Sequence, residues 1–193
     1  MKTLIGGALV LALAAIGCTG TSPYMTPGDR TAPAAAEDSA TVVFVRPSQY
    51  GGADRVTLLD GKGRFLGDIL PATHFAVKMP AGEHVFISWG QNTSAVKATL
   101  VANKVYYVEA YGPTGAGTPR LELRAVTLHS PTYGKIDEWL QKTQPLAPNE
   151  SAGQAYLQKE ASGVTSVISR ANSELAEYKA AMPEHTLSAE DGK

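Results

Sequence analysis

From residue 41 to residue 125 apolar and polar side chains alternate in short runs, the period of half-buried β-strands. Residues 41–46 are rich in Val and Phe and stop at Pro47. Residues 55–59 come next, and an Asp60-Gly61-Lys62-Gly63 turn leads into 64–70. An Asp-Gly step favours a hairpin because such turns need positive φ. Phe75, Val77 and Met79 alternate with His74, Ala76 and Lys78. Pro80-Ala81-Gly82-Glu83 then turns the chain into 84–89, where Val85, Ile87 and Trp89 share a face; Pro presets φ and Gly82 can take positive φ. Val96, Ala98 and Leu100 alternate with Lys97 and Thr99, and Ala102-Asn103 turns into 104–111. Leu121, Leu123 and Ala125 alternate with Arg120, Glu122 and Arg124, and the Gly-rich stretch 112–118 is a loop. Short strands joined by tight turns predict a mainly β fold, a small antiparallel β-sandwich over 41–128 that folds without the C-terminal residues beyond it.

The period changes after His129, where a helical extension over 129–183 is expected. Residues 136–142 suit a short helix carrying Trp139 and Leu140, and Asn149 is placed to cap a longer one reaching Met182. Along it Leu157, Ala161, Val164, Ile168, Ala171, Leu175, Tyr178 and Met182 recur at spacings of four and three, a heptad-like seam. With small residues in that seam and Ser162-Gly163 mid-helix, packing within a monomer is expected rather than a free coiled coil. The last residues, 184–193, are polar and expected to be disordered.

The N-terminus has a different logic. Lys2 precedes a short apolar run over 4–16, and Ala15-Ile16-Gly17 puts small residues before Cys18. A run this short does not reach the ~20 apolar residues of a membrane-spanning helix, so 1–17 reads as a cleaved export signal. It resembles a bacterial lipoprotein signal peptide, with Ala15 where Leu is usual. The resemblance implies a diacylglycerol thioether on Cys18, which becomes the new N-terminus and is N-acylated. Thr19 is not the Asp that retains many such products at the inner membrane, which implies an outer-membrane location in the cell envelope. Residues 18–40, dominated by Thr, Ser, Pro, Gly and Ala, are then expected to be a flexible tether with a reach of roughly 25 Å.

Composition narrows the function classes. The net charge is -1 and Lys and Arg form no dense cluster, which disfavours a nucleic-acid partner. A single Cys excludes an intramolecular disulfide. His74, His84 and His129 have no metal-ligand spacing, and no Gly-x-Ser-x-Gly elbow or phosphate cradle occurs, so no metal, cofactor or catalytic residue is expected. An envelope hydrolase with a site assembled only in three dimensions is the least favoured class.

Four segments carry a family resemblance: Phe44-Val45-Arg46-Pro47, the 60–67 hairpin with Leu66-Gly67, Pro80-Ala81-Gly82-Glu83-His84, and Lys104-Val105-Tyr106-Tyr107-Val108. In this order they resemble the DUF2846 family of bacterial envelope proteins. That resemblance implies a β-sandwich, often behind a lipoprotein signal, with no assigned activity, and it does not reach the helical extension.

Aromatic residues are the remaining candidates. Tyr50, Trp89 and Tyr111 fall near strand ends or loops, where exposed aromatics can form a binding surface. The plainer reading is that they cover the sandwich ends or dock the helices. The expectation is a lipid-anchored, non-catalytic envelope module that binds a partner protein or contributes structure. The alternative is a periplasmic small-ligand or glycan binder using Tyr50, Trp89 and Tyr111.

Overall fold

Two mixed β-sheets face each other in the computed structural model, which describes residues 21–49, 55–112, 120–177 and 183–193. The strands are β1 (Met25–Pro27), β2 (Ala40–Arg46), β3 (Val56–Asp60), β4 (Phe65–Ile69), β5 (Thr73–Met79), β6 (Gly82–Trp89), β7 (Thr93–Leu100), β8 (Val105–Tyr111), β9 (Glu122–Ala125), β10 (Gln144–Pro148) and β11 (Thr186–Leu187). Three α-helices accompany them: α1 (Ile136–Lys142), α2 (Glu150–Lys159) and α3 (Ala161–Glu177). One sheet has the order β1-β10-β5-β2-β8-β9 and the other β11-β7-β6-β3-β4. The sandwich expected from the alternation is therefore present, with more mixed pairing than expected. The hairpins β3–β4, β6–β7 and β8–β9 are antiparallel, whereas β2–β8, β10–β5 and β11–β7 are parallel.

The main core lies between the sheets. Phe44 packs on Phe75 and on Phe86, with ring centroids 5.3 Å apart in each pair, among Leu58, Val96, Tyr106 and Leu123. Strand β2 is buried along its whole length. Its even residues Val42 and Phe44 join this core, and its odd residues Val43 and Val45 join a second one under Ile136 and Trp139 of α1. Burial on both faces is why this strand is nearly all Val and Phe.

Helices α2 and α3 cover the opposite face of the five-stranded sheet. Leu157, Val164, Val167, Ala171 and Leu175 are buried with Phe65, Ile87 and Ala95. The seam packs within the chain as expected, but the single helix does not form. Glu160 ends α2 outside helical geometry, and α3 begins at the next residue. The kink changes which residues face inward. Ala161 turns to solvent, Ile168 is only partly buried, and Val167, outside the expected seam, is fully buried. Tyr178 and Met182 lie outside the described residues. Two glycines set the close approach. A Cβ on Gly153 would fall 2.2 Å from the Phe65 ring, and one on Gly163 would fall 2.8 Å from Trp89.

Two terminal segments depart from the expected flexibility. Within the expected tether, residues from 21 onward are placed. β1 pairs with β10, Met25 enters the core, and Thr41 Oγ1 donates to the Ala34 carbonyl at 2.7 Å. At the other end residues 184–193 are ordered. β11 pairs with β7, Leu187 is fully buried, and Lys193 and Val105 exchange two backbone hydrogen bonds at 2.9 and 3.0 Å. Asp191 accepts from the backbone N–H groups of Ser188 and Leu128. Strands of two or three residues are too short to show a period, so backbone pairing and single anchors hold both termini where alternation could not announce them.

Candidate functional site

Strands β6 and β7 are longer than the helical layer that covers them. Their Trp89 and Thr93 ends lie beneath α3, and their Gly82 and Leu100 ends reach past it. Two turns converge there. In the β3–β4 hairpin Gly63 takes φ +80 and Asp60 Oδ1 accepts the N–H groups of Lys62 and Arg64, both at 2.9 Å. In the β5–β6 turn Gly82 takes the expected positive φ, +125, with open space where a Cβ would be. Between these turns and β11 lies a groove of about 780 Å³.

Pro80 and Val85 supply its accessible apolar lining, with Met79 and Leu187 buried beneath, and Lys62, Arg64, Lys97 and Glu83 its charges. Arg64 is held by Asp60, with Nε 3.3 Å from Oδ2, and its guanidinium also meets the Met79 sulfur. Lys62, Lys97 and Glu83 have no side-chain partner among the described residues. His84 sits at the rim, where its Nε2–H donates to the Pro80 carbonyl at 2.9 Å and its ring lies parallel to Phe86. The arrangement offers two cations and one carboxylate, unpaired among the described residues, beside Pro80 and Val85.

The aromatic candidates have other partners. Trp89 stacks on Tyr156 of α2 at 6.1 Å, which in turn stacks on Tyr24 at 5.0 Å. Arg55 lies 5.0 and 5.3 Å from the Tyr24 and Tyr156 rings. Trp89 thus docks the helices, the plainer of the two sequence readings. Tyr111 belongs to the other sheet, with the Arg124 guanidinium 3.7 Å over its ring and Glu122 bound to Arg124 at 2.7 Å. Each is committed to a separate intramolecular stack in a different sheet. Tyr50 and Cys18 lie outside the described residues.

Buried ionisable groups are tied into the framework. Asp68 accepts from Thr57 Oγ1 at 2.8 Å and from Ser22 Oγ. The Thr143 hydroxyl donates to the Trp139 carbonyl, so His74 Nδ1, 2.6 Å away, carries the hydrogen that Thr143 accepts. Burial, and secondarily the Arg30 charge, push the His74 pKa below the ordinary imidazole value. Burial raises the Glu109 carboxyl, and Arg124 and Lys135 pull it partly back. Among the described residues no three His, Cys, Asp or Glu side chains cluster as a metal site.

Sequence reasoning missed the groove because it treated 60–63 and 80–84 as separate turns, each with a sufficient structural role. The available signal was the outward position of Lys97 and Thr99 on a strand otherwise buried. No family model, curated protein or solved structure matches the chain.

Proposed function

We propose that this chain is a lipid-anchored, non-catalytic protein of the bacterial cell envelope, and that it holds a partner protein in the groove between its β3–β4 and β5–β6 turns. The groove carries this reading. Lys62 and Lys97, unpaired among the described residues, stand beside exposed Pro80 and partly buried Val85, over a floor closed beneath by the buried Met79 and Leu187, which suits a polypeptide bearing both acidic and apolar side chains. A desolvated apolar floor with charges at its margin is the ordinary anatomy of a protein interface. The buried carboxylate Asp68 and imidazole His74 serve hydrogen bonds inside the framework, which supports a binding rather than a catalytic role. The glycan alternative loses its main support, because Trp89 and Tyr111 are already stacked on Tyr156 and Arg124. The envelope assignment rests on the apolar leader and Cys18, and the strand segments that resemble the DUF2846 family agree with it.

The test is a chemical cross-link and pull-down of the intact lipoprotein from its own envelope, beside the Lys62→Glu/Lys97→Glu chain. A protein retained by the wild type and lost several-fold with the charge reversal supports the reading. Equal retention by both chains overturns the groove as the binding surface. Mass spectrometry of the mature N-terminus checks the anchor: a diacylated, N-acylated Cys18 is expected, and an unmodified N-terminus beyond it rejects anchoring.

A further inference from the structure

We infer that the lipid anchor seats one corner of the sandwich close against the bilayer and turns the groove to the aqueous side. The inference rests on the proposed lipidation of Cys18 and adds to it an orientation in which the sheet end remote from Ser22 faces water.

The first described residues are pinned. Ser22 Oγ donates to Asp68, whose side chain is fully buried, and also accepts the Tyr24 N–H at 3.0 Å. The Tyr24 ring lies between Phe65 and Tyr156, with centroids 6.1 and 5.0 Å away, and its carbonyl accepts the Asn149 N–H at 2.8 Å. Met25 then enters the core, and β1 pairs with β10. Ser22 is four positions after Cys18. Four residues span at most about 14 Å even when fully extended. The leash is therefore shorter than the ~25 Å expected of a flexible 18–40 tether.

The pinning point and the groove lie at opposite ends of the strands of one sheet, the groove reaching from the β3–β4 turn across to β11. Asp68 belongs to β4, the edge strand, and pairs with Thr57, which pairs in turn with Trp89 at the far end of β6. The groove is lined by Glu83 and Val85 at the other end of β6, by Lys97 and Thr99 of β7, and by Leu187 of β11, the opposite edge strand. Three strand spacings across and four residues along separate Asp68 from Lys97, which amounts to about 20 Å on the diagonal. With Cys18 in the bilayer, the Ser22 corner must lie near the headgroups. The Lys97–Thr99 end of the groove then stands up to about 20 Å farther out, toward a partner that approaches through water.

The experiment uses the full lipidated chain in phosphatidylcholine vesicles containing a headgroup-attached nitroxide quencher. Lipidation blocks the Cys18 thiol, so one introduced cysteine takes a fluorophore: Pro23→Cys near the pinned corner, or Thr99→Cys at the groove. Quenching several-fold stronger at position 23 than at 99 is expected. Inserting twenty Gly/Ser residues after Gly20 should remove most of that difference. Equal quenching at the two positions in the uninserted chain, or stronger quenching at 99, overturns the orientation with the anchor intact. A chain whose Cys18 still reacts with thiol reagents and does not float with the vesicles overturns the anchor itself, and the orientation with it. The two failures are therefore distinguishable.

Discussion

Strands β6 and β7 present one continuous outer face with two unlike halves. At one end Trp89, Ile87, Thr93 and Ala95 lie under the helical layer; at the other Glu83, Lys97 and Thr99 lie bare beside the groove, with Val85 partly buried among them. The backbone pairing is the same throughout, an unbroken antiparallel ladder from Gly82–Leu100 to Trp89–Thr93. What changes is the side chains, from Trp, Ile and Ala to Glu, Lys and Thr, at the point where α3 leaves the sheet. The helix thus fits a boundary written into the strands, and the bare half is not an unfinished core. On the proposed function, stability resides in the covered half and recognition in the bare half, so each should respond differently to change.

The largest effect should come from removing the cover. Leu157, Val164, Val167 and Leu175 are buried against the sheet. At roughly 1.5–3 kcal/mol each their loss removes about 6–12 kcal/mol, comparable to the whole stability of about 5–15 kcal/mol of a typical domain. A fragment ending at Thr127 also lacks β10 and β11. The independent folding expected for 41–127 should therefore fail, with no cooperative melt by circular dichroism. A cooperative β-type melt would show that the covering helices are dispensable and break the comparison.

Point changes sharpen it. Val167→Asp replaces a fully buried side chain with an unpaired carboxylate and should cost roughly 3–5 kcal/mol in urea denaturation. Gly153→Ala should cost about 1–3 kcal/mol by overpacking, because the new Cβ meets the Phe65 ring. Gly82→Ala probes the bare end. Its strain is of backbone origin alone, of order 1 kcal/mol, since nothing lies within 4 Å of the added Cβ.

These sites also show what was legible beforehand. The β2, β6, β7 and β9 runs and the Gly82 turn were visible because alternation and turn chemistry are local. The helical seam was half visible. Leu157, Val164, Ala171 and Leu175 face inward as spaced, but the kink at Glu160 brings in Val167 and releases Ala161, following the sheet rather than a heptad. Strands β1, β10 and β11 were invisible. β10 contains Pro145 and Pro148, which oppose a strand reading, and it is tolerated because it pairs with β5 only at 144–145 and with β1 only at 146–148. The groove combines residues from 60 to 187, so its assembly depends on topology that no local pattern contains.

The framework at the other sheet can be probed through pH. His74 resists protonation in the folded state, so the unfolded chain binds the proton first as pH falls below the ordinary imidazole value of 6.5. His74 therefore contributes a loss of stability that starts near pH 6.5 and is complete below its lowered folded pKa. Glu109, raised by burial, acts with the opposite sign as pH rises above 4.5, so a single profile mixes the two. The urea midpoint of the wild type and of His74→Gln should separate them. The wild type should lose more stability than the variant between about pH 7.5 and about pH 5, and parallel profiles would remove His74 from the account.

The smallest effect on stability should come from the bare half itself. Lys62 and Lys97 have no side-chain partner to lose among the described residues, and surface changes of this kind usually fall within about 0.5 kcal/mol. Lys62→Glu and Lys97→Glu should therefore leave the urea midpoint nearly unchanged while weakening partner capture. Substituting the covered counterpart, Ala95→Glu, makes the contrast within one strand. Ala95 and Lys97 point to the same face two residues apart, yet the first is fully buried and the second exposed. A carboxylate at 95 must be desolvated beneath α3, whereas one at 97 stays in water. If both variants melt alike, the helix does not cover the strand as described, and the division between a stabilising half and a recognising half fails.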